Sequence, residues 1–572
     1  MRNNNKKELF WTKWRPIFVL VSFLVAALLL EGRFLYLQII EKDFLIDQGD
    51  QRQVRTVPIP TNRASILDRI GEPLAVSTPV DSIVANPNEL PTELEKIRLL
   101  AGALEQDPDT LIRKITSNLD KEFVYLRRHV NPDLTIRVLE LDMPGIEIER
   151  EYRRYYPSGE VTSHLLGFTD TDDNGIEGLE LAYDLWLQGE SGSKKVLRDR
   201  EARIIQDIEL INKEKPGKEL ILSIDLRLQY FAYRELKQAF EDNDAVSGSI
   251  VILDAKNSEI LAMVNQPFYN PNNRSKFDIG AYRNRAITDV FEPGSSIKPF
   301  ILAAALESGN YNLDSIIDTS PGYLKVNGRV ITEDYSDLGE VDMATILAKS
   351  SNVGSAIIGL DLEENQLWLT LSEFGFGKLT GVGFPGESAG IFNIPQNWSP
   401  TSQATLSYGY GLSVTALQLA QAYSVIANNG VLKPVSILSP NISQSSKRII
   451  SERTASNIKL MMEGVVSPSG TGMLASVKNY RVAGKTGTAK KSELGSYTDN
   501  KYTSVFAGFA PVTEPKFIIV VIIDEPKGDV YYGGEVAAPI FSKVMDGALR
   551  IASIKPDAID IKSQSVIAEL SQ

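Results

Sequence analysis

The first apolar segment of the chain is an uncharged run from Pro16 to Leu30, and five basic residues precede it: Arg2, Lys6, Lys7, Lys13 and Arg15. At about 1.5 Å per residue the run covers roughly 22 Å of a ~30 Å hydrocarbon core, so its aromatic flanks have to extend it. A buried core helix, a cleavable signal peptide and an uncleaved anchor are the alternatives. The basic residues disfavour the core helix, and the lack of an A-x-A site after Leu30 disfavours cleavage.

We therefore predict a transmembrane anchor over residues 16–40 that follows a short tail, residues 1–15. The positive-inside rule places this tail in the cytoplasm. The chain after residue 40 is then expected outside the inner membrane, in a compartment that permits disulfides but does not require them.

From residue 41 to about 217 the chain is mixed and charged, and it has few long apolar runs. A helical stretch from Glu93 to Leu104 alternates with loops, and the polar segment from Ile211 to Lys218 indicates a boundary turn. We predict a separate N-terminal domain over residues 41–217.

The apolar pattern strengthens after this boundary. Strand-like segments at 249–254 and 259–264, joined by a short polar turn, predict a β-hairpin. Apolar positions at helical spacing follow at Ile297–Leu306, Met343–Leu360 and Ala416–Ala427, and further strands are predicted at Tyr480–Thr488, Tyr502–Ala510 and Lys516–Ile523. Strands at both ends with helices between them predict an α+β domain with one antiparallel sheet, residues 218–555, before a polar C-terminal tail, residues 556–572.

Composition narrows the chemistry mainly by what is missing. The 572 residues include no cysteine and two histidines, His129 and His164. Thiol nucleophiles, thiolate metal sites and multi-histidine metal sites are therefore excluded. The net charge of -13 argues weakly against nucleic acid as a partner, because phosphate binding needs a basic surface.

Three short motifs in order carry the candidate chemistry. Ser295-Ser-Ile-Lys298 matches S-x-x-K, Ser350-Ser-Asn352 matches S-x-N, and Lys485-Thr-Gly-Thr488 matches K-T-G. Each motif alone is weak, since S-x-x-K also occurs at 191–194 and 456–459. Only the copy at Ser295 follows Glu292-Pro-Gly and precedes an apolar helix. The three motifs together predict a serine acyl-transfer enzyme.

The residues around Ser295 predict its local structure. Gly294 allows a sharp turn, and Pro299 is tolerated only in the first turn of a helix because it lacks an N–H. The helix must therefore begin close to Ser295, where the helix dipole favours negative charge. Lys298 lies three residues further on and shares the helix face of Ser295.

Lys298 is the obvious base, because this half of the chain has no histidine. Burial and a second cation such as Lys485 would lower its pKa so that it can accept a proton. Ser350 can relay a proton, and Asn352 can orient Lys298 and bind a substrate amide. The backbone N–H groups of Ser295 and Thr488 are candidates for the oxyanion hole.

The K-T-G segment is predicted to hold the substrate. Gly487 allows a substrate backbone to approach the strand edge. Lys485, Thr486 and Thr488 can bind a substrate carboxylate.

At these motifs the chain resembles the class B penicillin-binding proteins, the monofunctional D,D-transpeptidases of bacterial peptidoglycan synthesis, and within them the division-specific type. The resemblance covers nearly the whole chain. Further segments that carry it are Arg283–Ser295, Tyr155–Glu160, His164–Phe168, Gly175–Glu180, Asp68-Arg69 with Gly71–Ser77, Tyr408–Gly411 and Tyr531–Gly534. One departure is visible: the usual Arg-Gly pair is Arg63-Ala64, so the backbone there can differ.

The resemblance implies the penicillin-binding serine transpeptidase fold, an antiparallel sheet with helices on both sides. A mixed α/β, dimerisation-type pedestal and a single N-terminal transmembrane helix would precede it. Ser295 would attack the D-Ala-D-Ala bond of a stem peptide, release D-Ala and pass the acyl group to the amine of a neighbouring stem. β-Lactams would acylate the same serine. No metal or organic cofactor is implied.

The resemblance also implies where the protein works. The partners would be an FtsW-type glycosyltransferase and other divisome proteins, and the protein would be found at the division septum, with its catalytic domain in the periplasm.

The sequence leaves other functions open. An elongation-type transpeptidase, a carboxypeptidase, a β-lactamase or a β-lactam sensor would keep the fold, and a scaffold would act through residues 41–217. His129 and His164 are interpreted as structural, and Arg150–Tyr156 as a salt-bridged surface. The turn Tyr408–Gly411 is either a connector or a wall of the site.

Overall fold

The computed structural model describes residues 5–558 apart from residues 60, 199–203, 276–277, 335–336, 395, 397, 441–444, 494–495 and 529. Residues 1–4 of the predicted cytoplasmic tail and residues 559–572 of the predicted C-terminal tail lie outside the described residues. The chain divides into two compact units. One consists of residues 1–62 and 189–217, and the other of residues 63–188 and 218–572.

The elements of the N-terminal part alternate between short helices and strands. In chain order they are α1 (Asn5–Leu35), α2 (Lys42–Gln53), β1 (Val54–Ile59), β2 (Ile66–Leu67), β3 (Pro73–Ala85), α3 (Leu94–Ala103), α4 (Pro108–Thr116), β4 (Val124–Val130), α5 (Pro132–Leu139), β5 (Ile146–Tyr155), α6 (Ser163–Leu166), β6 (Phe168–Thr169), β7 (Gly175–Glu177), α7 (Gly178–Ala182), α8 (Asp184–Gln188), β8 (Gly192–Arg198), β9 (Ile204–Asn212) and β10 (Leu220–Ile221).

The C-terminal part has longer helices between strands. Its elements are α9 (Leu226–Asp242), β11 (Ser247–Asp254), β12 (Ile260–Gln266), α10 (Arg285–Thr288), α11 (Lys298–Ser308), β13 (Ile316–Asp318), β14 (Tyr323–Val326), β15 (Arg329–Thr332), β16 (Glu340–Asp342), α12 (Met343–Lys349), α13 (Asn352–Asp361), α14 (Glu364–Glu373), α15 (Pro400–Leu406), α16 (Ala416–Ala427), β17 (Val431–Leu432), β18 (Lys447–Arg448), α17 (Glu452–Val466), β19 (Ala483–Glu493), β20 (Ser496–Ala510), β21 (Phe517–Asp524) and α18 (Ala537–Ile551).

The first unit combines an apolar helix with a small sheet. Helix α1 continues through one π-helical turn, Tyr36–Ile40, and the stretch Trp14–Ile40 is 27 residues long and contains an 18-residue window with a mean hydropathy of 2.2. At about 1.5 Å per residue this length exceeds a ~30 Å hydrocarbon core, so the structure supplies the extension that the short uncharged run needs. Strands β1, β8 and β9 form an antiparallel sheet in that order.

The pedestal part of the second unit is a mixed α/β structure, as predicted. Its sheet has the order β10-β2-β3-β4, with β5 also paired to β3, and β10 runs parallel to β2. Helices α3, α4 and α5 contribute Leu100, Leu111 and Leu134 to a core that includes Ile83 of β3 and Leu126 of β4. Helix α3 corresponds to the helical stretch predicted from Glu93 to Leu104.

The central feature of the second unit is a five-stranded antiparallel sheet in the order β12-β11-β21-β20-β19. Along β21, Ile518, Val520 and Ile522 enter the core that contains α11 and α16, whereas Ile519 and Val521 enter the core that contains α9 and α18. Successive side chains of a strand point to opposite faces, so helices on both sides explain why β21 is apolar throughout. The predicted α+β fold with helices on both sides is confirmed.

One predicted helix is interrupted. The apolar spacing from Met343 to Leu360 predicts continuous helical structure, but α12 ends at Lys349 and α13 starts at Asn352. Ser350 between them has φ 60° and ψ 38°, the left-handed region. The apolar pattern does not reveal the break, because both helices bury the same kinds of residue.

A buried ion network corrects part of the interpretation of Arg150–Tyr156 as a salt-bridged surface, because Arg154 and Tyr156 are buried whereas Arg150, Arg153 and Tyr155 are exposed. Arg154 is 5% exposed, and its Nε donates to Glu180 Oε1 at 2.7 Å. Arg63 Nε donates to the other oxygen of Glu180 at 2.6 Å. Arg150, in contrast, is exposed and forms the expected ion pair at the surface, with Asp81 at 2.8 Å. Two guanidinium groups on one buried carboxylate join the segment before β2, strand β5 and helix α7 through charge-assisted hydrogen bonds.

The departure at Arg63-Ala64 does not strain the backbone. Ala64 is buried and does not have a positive φ, and its N–H donates to Leu187 O at 2.9 Å. A glycine is therefore not required at this position.

His164 has the structural role that was predicted for it. Its ring is fully buried, Nε2 lies 2.9 Å from Ala281 O, and burial lowers its pKa to about 4. His129 is half-buried beside Glu151, and burial also lowers its pKa.

Glu180→Ala should destabilise the protein by about 3–5 kcal/mol, because it leaves Arg63 and Arg154 buried without their partner. Urea unfolding followed by circular dichroism measures the effect. Glu105→Ala is the matched control: Glu105 pairs with two pedestal arginines but is exposed, so solvent screens its charge and its loss should destabilise the protein far less. Equal effects of the two substitutions would contradict a stabilising role for the buried network.

Candidate active site

The turn that presents Ser295 has the structure expected from its sequence. Gly294–Ile297 form a 3₁₀ turn that leads directly into α11, and Pro299 lies in the first turn of that helix. Gly294 has φ +52°, and a Cβ at this position would lie 2.8 Å from Thr488 O. The glycine therefore allows both the positive φ and the close approach of β19. Ser295 itself is half-buried.

Strand β19 carries the K-T-G motif past this turn. A Cβ at Gly487 would lie 2.6 Å from Pro293 O, so only glycine lets the strand approach so closely. β19 is the last strand of the central sheet, which leaves its outer edge without a strand partner in the described sheet. Such an edge can pair with the backbone of an extended peptide.

The S-x-N motif occupies the break between α12 and α13. Ser351 caps α13, because its Oγ accepts from Gly354 N at 2.8 Å. The left-handed conformation of Ser350 turns the chain so that Ser350 and Asn352 both contact Lys298. The helix break is thus what positions this motif.

Lys298 is fully buried and faces three oxygens. Its Nζ donates to Ser350 O at 2.5 Å and to Asn352 Oδ1 at 2.9 Å, and it lies 3.3 Å from Ser350 Oγ. Among the described residues, the Ser295 hydroxyl makes no hydrogen bond within 3.5 Å. The fold therefore brings Lys298, Ser350 and Asn352 into direct contact, and the Ser295 hydroxyl is not part of this set of hydrogen bonds.

Lys485 is the second lysine that contacts Ser350. Its Nζ donates to Ser350 Oγ at 2.9 Å, to Thr486 O at 3.2 Å and to Thr486 Oγ1 at 3.1 Å. Thr488 is held separately, because its Oγ1 accepts from Gly533 N at 2.9 Å. The hydroxyl of Ser350 thus lies between two lysines from different parts of the chain.

Burial governs the charge of both lysines. It lowers the pKa of Lys298 to about 7, while the nearby carboxylates of Asp334 and Glu333 raise it. Burial also lowers the pKa of Lys485 well below its ordinary value, and the charge of Lys298 lowers it further. The lowering of the Lys298 pKa by burial agrees with the prediction from the sequence, whereas the second predicted cause, repulsion between the two cations, lowers the pKa of Lys485 instead.

Two acidic residues that the sequence analysis missed complete this network. Glu333 accepts a short hydrogen bond from Ser351 Oγ and one from Asn352 N at 2.9 Å, at the N-terminus of α13. Asp334 Oδ1 accepts from Asn352 Nδ2 at 3.3 Å, which directs the amide oxygen of Asn352 to Lys298. The sequence offers no signal for these residues, since they follow a short strand and belong to no motif.

The turn Tyr408–Gly411 is a wall of the site rather than a remote connector. Gly294 N donates to Gly409 O at 3.1 Å, and a Cβ at Gly409 would lie 1.9 Å from Gly294 O. Glu292 Oε1 accepts from Gly411 N at 2.8 Å. The turn therefore supports the segment that carries Ser295.

Comparison with known families agrees with this geometry. Residues 248–546 match the penicillin binding protein transpeptidase domain, and residues 58–222 match the penicillin-binding protein dimerisation domain. The chain belongs to the class B penicillin-binding proteins. The family predicted from the motifs is confirmed, whereas the predicted domain boundaries at residues 41, 217 and 555 stay predictions.

This penicillin-binding protein has similar relatives over nearly its full length. It is 43% identical over 551 residues to the peptidoglycan D,D-transpeptidase FtsI of Escherichia coli K12, which covers 96% of this chain and 93% of the relative. The transpeptidase domain of penicillin-binding protein 3 from Burkholderia pseudomallei is 38% identical with a TM-score of 0.54, covering 59% of this chain and 97% of that chain.

A longer solved structure is also similar. Penicillin-binding protein 3 from Mycobacterium tuberculosis, complexed with aztreonam, is 27% identical with a TM-score of 0.68 and covers 87% of this chain and 98% of that chain. The likeness therefore includes the pedestal as well as the transpeptidase domain.

Gly294→Ala should slow the acylation of this penicillin-binding protein by a fluorescent penicillin about 100-fold, because the new Cβ displaces Ser295 from β19. The measurement is the second-order labelling rate, together with the melting temperature. Gly309→Ala is the matched control, since Gly309 has φ +79° but nothing within 4 Å of a new Cβ. It adds backbone strain without a collision and should leave the labelling rate unchanged; equal rates for both variants would refute the role of the close contact.

Proposed function

We propose that this protein is a septal peptidoglycan D,D-transpeptidase that cross-links stem peptides through an acyl-enzyme on Ser295. The observation that carries the proposal is the buried contact of Lys298 with Ser350 and Asn352 beside the Ser295 turn. The relative named peptidoglycan D,D-transpeptidase FtsI supports the same activity and favours the division type over the elongation type.

Acylation follows from the hydrogen bonds of Lys298. A neutral amine has two N–H donors and one lone pair. The carbonyl of Ser350 and the amide oxygen of Asn352 use the two donors, so the lone pair is free to take the proton of the Ser295 hydroxyl. Ser295 Oγ then attacks the carbonyl carbon of the penultimate D-Ala.

The substrate is held along β19. Its backbone pairs with the open strand edge at Gly487, and its terminal carboxylate binds Lys485, Thr486 and Thr488. The backbone N–H groups of Ser295 and Thr488 stabilise the oxyanion of the tetrahedral intermediate.

Ser350 is the proton relay to the leaving group. Its Oγ lies 3.3 Å from Lys298 Nζ and 2.9 Å from Lys485 Nζ, so it can pass a proton from Lys298 to the amine of the departing D-Ala. The same path in reverse carries a proton from the attacking amine of the second stem peptide to Lys298. Lys298 then gives this proton to Ser295 Oγ as the bond between the serine and the acyl group breaks, so the cycle ends with a free serine and a neutral Lys298.

The cellular setting rests on the N-terminal helix. The apolar stretch Trp14–Ile40 is consistent with a single membrane span, and the basic residues before it favour a cytoplasmic N-terminus. The transpeptidase domain is then periplasmic, at the division septum, where an FtsW-type glycosyltransferase and other divisome proteins are the partners.

Fluorescent penicillin should label the full-length protein stably in detergent, and Ser295→Ala should abolish the label because the nucleophile is lost. Ser456→Ala is the matched control, since Ser456-Asn-Ile-Lys459 has the same S-x-x-K spacing within α17. Rapid turnover of the label would indicate a β-lactamase, and an unlabelled wild-type protein would favour a scaffold.

The acylation rate should rise with pH to a plateau with a midpoint near pH 7, because Lys298 acts only when neutral and its pKa is lowered to about 7. Asp334→Asn removes a carboxylate that raises this pKa, so the midpoint should move to lower pH. Asp337→Asn, a nearby exposed control, should leave the midpoint unchanged. An unmoved midpoint in Asp334→Asn would contradict the role of Lys298 as the base.

Lys298→Ala should abolish acylation, because the base is lost. Normal acylation by this variant would also contradict the base role.

A further inference from the structure

Thr471 lies outside the three motifs but connects two of them. It follows α17 in a tight segment, and its backbone N–H donates to Ala348 O at 3.1 Å, two residues before Ser350. Its carbonyl lies against Gly534, where a Cβ would be 2.3 Å from Thr471 O. The backbone of Thr471 is therefore fixed on both sides, and its side chain has a defined direction.

That side chain points to the K-T-G motif. Thr471 Oγ1 lies 3.1 Å from Thr486 Oγ1, and Thr486 Oγ1 also accepts from Lys485 Nζ at 3.1 Å. Since the Thr486 oxygen accepts from Lys485, its own proton is available to Thr471 or to a ligand. A continuous row of polar groups thus extends from Lys298 through Ser350, Lys485 and Thr486 to Thr471.

We propose that Thr471 is a positioning residue for carboxylate recognition, which acts by holding the Thr486 hydroxyl in the orientation that meets the terminal carboxylate of the substrate. The inference rests on the proposed function, because it needs the carboxylate to bind at Lys485, Thr486 and Thr488. Thr471 is half-buried and Thr486 is buried, so little water competes for the hydroxyl pair.

The physical basis is the rotation of one hydroxyl. When the proton of Thr486 meets the carboxylate, the Thr471 hydroxyl is the donor to Thr486 Oγ1 and holds this side chain in one rotamer. Without the Thr471 hydroxyl, the rotamer of Thr486 is no longer fixed by this hydrogen bond. Part of the binding energy of a carboxylate must then be spent on restoring the orientation. The effect is specific to ligands with a free carboxylate, and this separates it from a general loss of structure.

The test uses the full-length protein in detergent with two probes, a fluorescent penicillin and its methyl ester. Thr471→Val keeps the shape and removes the hydroxyl, so acylation by the free acid should slow roughly 2- to 10-fold, the range for one hydrogen bond, while acylation by the ester should not change. Thr471→Ser keeps the hydroxyl and should restore the preference for the acid.

Thr116→Val on pedestal helix α4 is the control for the substitution itself, and it should alter neither rate. If Thr471→Val leaves the acid-to-ester ratio at the wild-type value, whether both rates fall together or neither falls, the positioning role is overturned. Labelling that persists in Ser295→Ala would contradict the proposed function instead, which distinguishes the two failures.

Discussion

Two lysines buried side by side are the constraint on which the rest of the site depends. Lys298 and Lys485 are both 0% exposed, and both approach the hydroxyl of Ser350. Taking an ammonium group out of water costs several kcal/mol, so burial favours the neutral amine. A side chain that is a cation on any protein surface thereby becomes a base near neutral pH. In the proposed mechanism, this desolvation is what allows Lys298 to remove the proton of Ser295.

The fold supplies this burial with elements that are far apart in the sequence. Helix α11 brings Lys298 after the Ser295 turn, the break between α12 and α13 brings the Ser350 hydroxyl, and edge strand β19 brings Lys485. The two apolar cores on either side of the central sheet hold these elements in register. Glu333 and Asp334 limit the effect, since their charges raise the pKa of Lys298 and keep it close to neutrality.

Much of the site could be predicted because its signals are local. Gly294 and Pro299 each restrict the backbone within a few residues of Ser295, and the predicted turn and helix agree with the structure. The interruption at Ser350 could not be predicted, because the apolar spacing continues across it and a serine in the left-handed region has no distinctive neighbours. Thr471 was missed for a related reason: its contacts with Ala348 and Thr486 exist only after folding.

The sequence by itself determined the N-terminal apolar helix, the two-sided apolar strands and the turn at Ser295, and it restricted the candidate chemistry to serine and lysine. These depend on residue identity and short-range backbone limits, which act before any tertiary contact forms. Only the tertiary structure decided which charges are buried. It turned Arg154 inward onto Glu180, placed Asp334 beside Asn352, and removed water from both lysines. Desolvation is a property of the packed molecule, so no spacing of residues along the chain can specify it.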